Sequence, residues 1–331
     1  MKIPLCSLLQ GGISFSYYFA QPVHLPPPAC IGYQQGGGVS GMQHGFTNSF
    51  YDRQIDRAFQ EARLLSLADH PRLVLFSDCH RGIGTGNDSF LNNKPLCEAA
   101  LNYYDAQKFT CIELGDGDEL WENRRIADIA EIHGDIFAKL ADFAADGRLF
   151  LLWGNHDRVK SSPRFRPASG TTYSFLPPAA ESLILEDPVG GRRLYLLHGH
   201  QVDPLNNQLW LAARWLVRYL WKPLELAGIK DPTSAAKNYK RRNAVGARLE
   251  HWARSRRTYL TAGHTHRPTL SLSEGEGWGY FNTGSCVHPN TITCIELVYG
   301  QLRLIKWTLC ADENSYLKVC RSTIAGPKSI F

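Results

Sequence analysis

Five times between residues 73 and 266 the chain shows one pattern, a short apolar run ending in a cluster of chemically active side chains. Leu73-Val74-Leu75-Phe76 leads into Ser77-Asp78-Cys79-His80, and Phe109 to Leu114 leads into Gly115-Asp116. Leu149 to Trp153 leads into Gly154-Asn155-His156-Asp157, Leu194 to Leu197 into His198-Gly199-His200, and Tyr259-Leu260 into Gly263-His264-Thr265-His266. Short apolar runs bounded by Gly or Pro read as buried strands. Helical stretches around 93–107 and 126–146 separate the early ones, and strands alternating with helices predict an α/β sheet. Ligands of such sheets gather beyond the carboxyl ends of strands. The five clusters are therefore expected to converge on one site. After His266 the pattern changes to strands without helices, at 279–283, 292–299 and 302–309, the last two joined by a turn at Gly300. Ahead of the first strand, Phe50, Ala58, Ala62, Leu65 and Leu67 read as an amphipathic helix ending near His70-Pro71.

Composition narrows the class. Of 331 residues, 44% are hydrophobic and 20% charged, which excludes wholesale disorder. The longest apolar run, Leu209 to Trp221, is interrupted by Arg214 and Arg218 and is too short to span a bilayer. Nine cysteines are scattered without a CxxC pair, so neither a zinc knuckle nor a thioredoxin motif is present. Cys111 and Cys294 lie in apolar runs, as buried reduced thiols do, and a reducing cytoplasm is expected. Residues 1–41 stand apart, with Lys2 as their one charge and the runs Pro26-Pro27-Pro28 and Gly36-Gly37-Gly38. An export signal fits poorly, because Pro4 and Gln10-Gly11-Gly12 break its apolar core and no A-x-A site follows. The expectation is an unstructured or mis-assigned extension, with ordinary sequence beginning near Met42. One domain is expected over 42–310, with a helical insert at about 203–258 and a C-terminal tail at 311–331.

The clusters together supply Asp78, His80, Asp116, Asn155, His156, His198, His264 and His266. Carboxylates and imidazoles with one amide suit manganese, iron or zinc rather than calcium. Eight donors exceed one tetrahedral site and suit two adjacent metals, which an aspartate can bridge. Each motif alone has a plainer meaning. Asp-x-His at a strand end is common, Gly-Asp is usually a turn, and Asn-His-Asp can cap a helix. Gly-His-Thr-His is more specific, because an extended segment points residues i and i+2 the same way. On spacing alone His200 has an equal claim to the place of His198.

The series Asp78-x-His80, Gly115-Asp116-x-x-Glu119, Gly154-Asn155-His156-Asp157, His198 and Gly263-His264-x-His266, with Asn282-Thr283-Gly284-Ser285, resembles the calcineurin-like metallophosphoesterase family. The resemblance runs from about residue 72 to 308. It implies a four-layer α/β/β/α sandwich with a helical insert and a dinuclear centre. Asp78, His80, Asp116 and His266 are expected to hold the first of two divalent metals. Asp116 is expected to bridge to the second, completed by Asn155, His198 and His264. Manganese ranks first, with iron or zinc as alternatives. A metal-bridging hydroxide attacking phosphorus is the implied chemistry, with His156 stabilising phosphoryl oxygens or protonating the leaving group and Asp157 orienting His156. Glu119 stands where the family usually has Asp.

The formal charge of +5 is unevenly placed. Residues 214–257 carry 12 Lys+Arg against 3 Asp+Glu, a local +9, and the remainder is −4. Arg214, Arg218 and Lys222 form a ridge on an apolar helix, and Val245, Leu249 and Trp252 share one face of a second. One reading is a helical cap packed on the domain. The other is a lid with an apolar groove and a basic rim, for a phosphate-bearing small molecule or lipid, with peripheral contact to an anionic membrane. Arg81, Arg214, Arg218, Lys237, Lys240 and Arg241 are the expected substrate contacts. The insert, with Gly-His-Thr-His-Arg267-Pro268, is similar to that of UDP-2,3-diacylglucosamine hydrolases, which commonly carry Arg at the place of His156. A nuclease of the same family is an alternative, although nucleic acid is the weaker partner. A non-catalytic binding module on this fold is disfavoured because every ligand position is retained. No obligate protein partner is evident.

Overall fold

The computed structural model describes residues 41–165, 170–221, 239–273 and 275–331. The expected extension, apart from its last residue, and Lys237 lie outside them.

Helix α1 (Gly41–Ala58) opens the described chain. It does not continue to His70 as its spacing predicted. Leu64 is 51% exposed and Leu65 5%, an alternation of period two, and Arg63–Ser66 forms strand β1. Strand β2 (Arg72–Phe76), helix α2 (Lys94–Ala106) and strand β3 (Thr110–Leu114) follow. The helical stretch at 126–146 is two helices, α3 (Ile126–Ile132) and α4 (Gly134–Ala145), meeting at His133. Then come β4 (Leu149–Leu152), β5 (Ser182–Glu186), β6 (Arg193–Leu197), and the short helices α5 (Pro204–Asn207) and α6 (Trp210–Leu216), with a π-helical turn at Val217–Trp221. Helix α7 (Tyr239–Ser255) precedes β7 (Tyr259–Ala262), β8 (Thr269–Ser273), β9 (Trp278–Asn282), β10 (Thr291–Val298), β11 (Gln301–Ala311) and β12 (Leu317–Ser329).

These strands make two six-stranded sheets, ordered β1-β5-β6-β7-β9-β8 and β12-β11-β10-β2-β3-β4. Strands β2, β3 and β4 run parallel, as do β6, β7 and β9. Alternation along each strand builds the layers. Leu73, Leu75, Ile112, Leu114, Phe150 and Leu152 face Leu183, Leu185, Leu194, Leu196 and Phe281 between the sheets. The opposite faces of β2, β3 and β4 pack Val74, Phe76, Cys111, Leu149 and Leu151 against α2 and α4. On the far side, Ile55 of α1 and Val245, Leu249, Trp252 and Ala253 of α7 cover Leu197, Leu260, Ala262 and Tyr280. The result is the α/β/β/α sandwich.

Two boundaries change. Helix α7 belongs to the outer helical layer, so this described part of the expected lid is packed on the core. The expected tail is instead β12, paired antiparallel with β11 from Gln301↔Ser329 to Ala311↔Leu317. The Asp312 carboxylate accepts the N–H groups of Asn314 and Tyr316 and turns the chain between them. Arg321 of β12 then reaches the buried Glu296 at 2.6 Å. Cysteines 79, 97, 111, 286 and 294 are free and buried, as expected of reduced thiols. Cys310 and Cys320 depart from that expectation and are joined across β11 and β12.

Candidate metal centre

Every polar cluster leaves the carboxyl end of a strand at the seam between the two sheets. The turns after β2 and β3 are tied by backbone bonds from Asp78 N–H to Gly115 O and from His80 N–H to Asp116 O, at 3.1 and 2.9 Å. Asp78, His80, Asp116, His264 and His266 all have φ between 49° and 63°. Left-handed backbone costs a non-glycine residue about 1–2 kcal/mol, and it persists where surrounding structure over-determines it. The Gly-His-Thr-His segment is thus not extended. Its two imidazoles serve different neighbours, because each histidine sits on its own left-handed turn. Gly154 is obligatory here: a Cβ would stand 2.1 Å from Asp116 Oδ1.

The side chains converge atom by atom. Asp78 Oδ2 accepts the His264 N–H at 2.9 Å and the Ser77 hydroxyl, leaving Oδ1 to face His266 Nε2 at 3.1 Å and His80 Nε2 at 3.8 Å. Asp116 Oδ1 accepts the His156 N–H at 2.8 Å, leaving Oδ2 to face His198 Nε2 at 3.1 Å and His80 Nε2 at 3.9 Å. His198 donates from Nδ1 to the Leu114 carbonyl at 2.8 Å, which leaves Nε2 for the cluster. His80 Nδ1 is likewise bonded to Glu119 at 3.0 Å. Fixing one ring nitrogen so that the other can ligate is how proteins prepare metal-binding histidines. Of the two neighbouring histidines, His198 lies within reach of Asp116 and His264, whereas His200, buried with neither ring nitrogen partnered, joins none of the donor groups among the described residues.

Whether these residues fit a metal can be judged from their unmet bonds. Asp78 Oδ1, His80 Nε2, both polar atoms of the Asn155 amide and His198 Nε2 are buried without a hydrogen-bond partner. Buried polar atoms are rarely left so. Among the described residues three groups of donors lie close enough to share a cation: Asp78, His80 and His266; Asp116, His198 and His264; and His80, Glu119 and His156, the last already joined to one another by hydrogen bonds through Glu119. Electrostatics agree. Burial opposes charge on both aspartates, yet the neighbouring imidazoles hold each carboxyl well below its usual range. Burial also opposes charge on His80 and His198, but Glu119, Asp116 and Asp78 raise His80 to about 10, and Asp116 and Asp78 raise His198 to about 9. A divalent cation competes with those protons for the same nitrogens. The donor set fits.

The sequence profile of calcineurin-like phosphoesterases matches residues 71–268, which include all of these side chains. The chain belongs to the calcineurin-like phosphoesterase family. No curated protein sequence matches it significantly. The crystal structure of Vps29 from Chaetomium thermophilum is similar at 12% identity over 77% of this chain and 97% of that one, with a TM-score of 0.35. That likeness is too slight to bear on function.

Within this calcineurin-like site the helpers of His156 differ from those expected. Asp157 does not touch its ring. The Asp157 carboxylate accepts the N–H groups of Gly154, Asp116 and Gly117 at 2.7, 3.2 and 3.1 Å and pairs with Lys160 at 2.7 Å. It staples the turns after β3 and β4 together. Glu119 orients His156 instead, accepting from Nδ1 at 2.8 Å while also holding His80. Trp121 stacks on the His156 ring, 4.4 Å between centroids. Burial opposes charge on His156, but Glu119 and Asp116 raise its pKa. The Glu-x-Trp spacing within Gly115 to Trp121 was the available signal for both helpers.

The basic residues expected at substrate are mostly engaged elsewhere. Arg81 is buried, bound to Glu113 through two nitrogens at 2.6 and 2.9 Å and to Asp118 at 2.7 Å. An ion-paired guanidinium inside the fold is structural. Arg214 lies over the Trp210 ring at 4.9 Å. Arg218 donates to the carbonyls of Trp121 and Leu120 at 2.7 and 2.9 Å. Arg241 is bonded to Asp203, and Lys240 is exposed. Leu209, Leu211, Trp215, Leu216, Tyr219 and Leu220 form an exposed apolar stretch, Trp215 at 60%. Among the described residues no helix is long and apolar enough to cross a membrane.

Proposed function

We propose that the protein is a hydrolase of phosphoester or diphosphate bonds that works with two divalent cations, manganese first among them. The observation that carries this reading is the convergence of unpartnered buried donors on Asp78 Oδ1 and Asp116 Oδ2. Asp78, His80, Asp116 and His266 would hold one cation, and Asp116, Asn155, His198 and His264 the other. When bound, such a pair acidifies water and neutralises the charge of a reacting phosphoryl group. The chain's own contribution is positional. Asp116 lies between the two donor groups, with its Oδ1 fixed by the His156 amide. Glu119 and Trp121 hold the His156 ring, with Nε2 free to meet a phosphoryl oxygen or to give a proton to the leaving oxygen.

The exposed stretch from Leu209 to Leu220 abuts the loop carrying Trp121, through Arg218. It supports a substrate with an apolar part, a lipid-linked or nucleotide-linked phosphate, and a cytoplasmic protein that touches membrane surfaces peripherally. The test is a panel of monoesters, diesters, nucleotide-linked diphosphates, lipid phosphates and DNA, assayed with manganese and with chelator. Manganese-dependent hydrolysis with preference for amphiphilic substrates supports the reading. Faster cleavage of DNA would make the protein a nuclease. No hydrolysis, with fewer than about two metals per chain, would overturn the enzyme.

A further inference from the structure

His264 makes a contact that neither the sequence motif nor the family match assigns. Its Nε2 lies 3.1 Å from Asp203 Oδ2, and Asp203 is 1% exposed. Asp203 is itself fixed from every side. Its N–H is donated to the His200 carbonyl at 2.9 Å, and its own carbonyl accepts from Asn206 and Asn207, opening α5. The Asn206 amide reaches Oδ2 at 3.1 Å. Oδ1 receives the Arg241 guanidinium through Nε at 2.9 Å and through Nη2. Arg241 stands on α7, whose Val245, Leu249 and Trp252 are locked into the outer core.

We propose that Asp203 is the positioning residue of His264, and that Arg241 anchors it, so that α7 sets how tightly one of the two cations is held. His264 shares a donor group with Asp116 and His198, and with its Nε2 proton given to Asp203 the Nδ1 lone pair is the one it would offer a cation. A carboxylate behind a ligating imidazole fixes its tautomer and ring angle. The insert is thereby wired to the metal centre through helix α7. The inference rests on the cluster being a metal centre.

The experiment titrates manganese calorimetrically into the chelator-stripped full chain, as wild type, Asp203→Ala, Asp203→Asn and Arg241→Met. Cobalt absorption spectra report the geometry at each site. Asp203→Ala is expected to weaken one of two binding events about 10- to 100-fold and leave the other unchanged, with an altered cobalt spectrum. Asp203→Asn, whose amide oxygen still accepts from Nε2, should recover part of the loss, and Arg241→Met should weaken the same event by less. If Asp203→Ala does not fold, the other two variants carry the test. Two manganese events unchanged within twofold in the variants would overturn the inference. A wild-type chain that binds no manganese would overturn the metal centre itself.

Discussion

The turns that carry the cluster and the segment beside them, residues 209–221, are held in opposite ways. In the turns, five non-glycine residues adopt left-handed backbone, and the rings of His80, His198 and His264 each have one nitrogen committed to a carboxylate or carbonyl. Every surrounding layer is packed. In the segment, six large apolar side chains face outward, and the polar anchors are few: Arg218 on the Leu120 and Trp121 carbonyls, Arg158 between the rings of Trp153 and Trp210, and Arg124 on Tyr219. Over-determined geometry suits a centre that must hold donors in fixed positions. A loosely held apolar surface suits contact with a flexible, partly apolar partner. Under the proposed function, that difference would separate the site of bond cleavage from the surface that selects the substrate.

The strongest way to break that division is Asp116→Asn. Asparagine keeps the shape and tolerates left-handed backbone, so the fold should survive while the shared negative charge is lost. Turnover is expected to fall to background on every substrate, with metal content below two per chain by elemental analysis. Full activity with any substrate would show that the centre does not depend on Asp116. Next is His156→Ala. Loss of a positioned acid or base slows turnover about 10²- to 10⁴-fold, and because His156 is held by Glu119 and Trp121, metal content should stay at two. Loss of both metals in this variant would make His156 part of the cation site.

The same division governs what could be read from sequence. Asp78, His80, Asp116, Asn155, His198, His264 and His266 stood out because each ends an apolar run, and strand ends are where an α/β sheet places ligands. Which group orients His156 was not legible by adjacency. Asp157 is next in sequence, yet the turn points it back at the amides of Gly154, Asp116 and Gly117, and Glu119 crosses from another strand end. Arg81 looked like a substrate contact because its burial depends on Glu113 and Asp118, more than thirty residues away. Helix α7 showed its apolar stripe plainly, but a stripe does not name its partner, and a lid and a core helix share one pattern. Strand β12 was missed because an edge strand with Lys318, Arg321 and Lys328 lacks the apolar run of a buried one.

The smallest expected effect tests the loosely held side. Arg218→Ala removes a guanidinium that donates to the carbonyls of Leu120 and Trp121, so it loosens the 209–221 segment from the loop carrying the stacked Trp121 while leaving the Arg124 bond to Tyr219 in place. Hydrogen bonds from a partly exposed charged group contribute about 1 kcal/mol, so a small drop in melting temperature is expected. His156 stays oriented by Glu119 in this variant, and a small water-soluble diester should be hydrolysed at nearly the wild-type rate. An amphiphilic phosphate that leans on the apolar stretch should instead lose about fivefold in kcat/KM, the factor that 1 kcal/mol represents, mostly through KM. Steady-state kinetics on the two substrates side by side decides the matter. Equal losses on both would mean that Arg218 acts through the Trp121 loop on the chemistry, and that the segment and the centre are one unit.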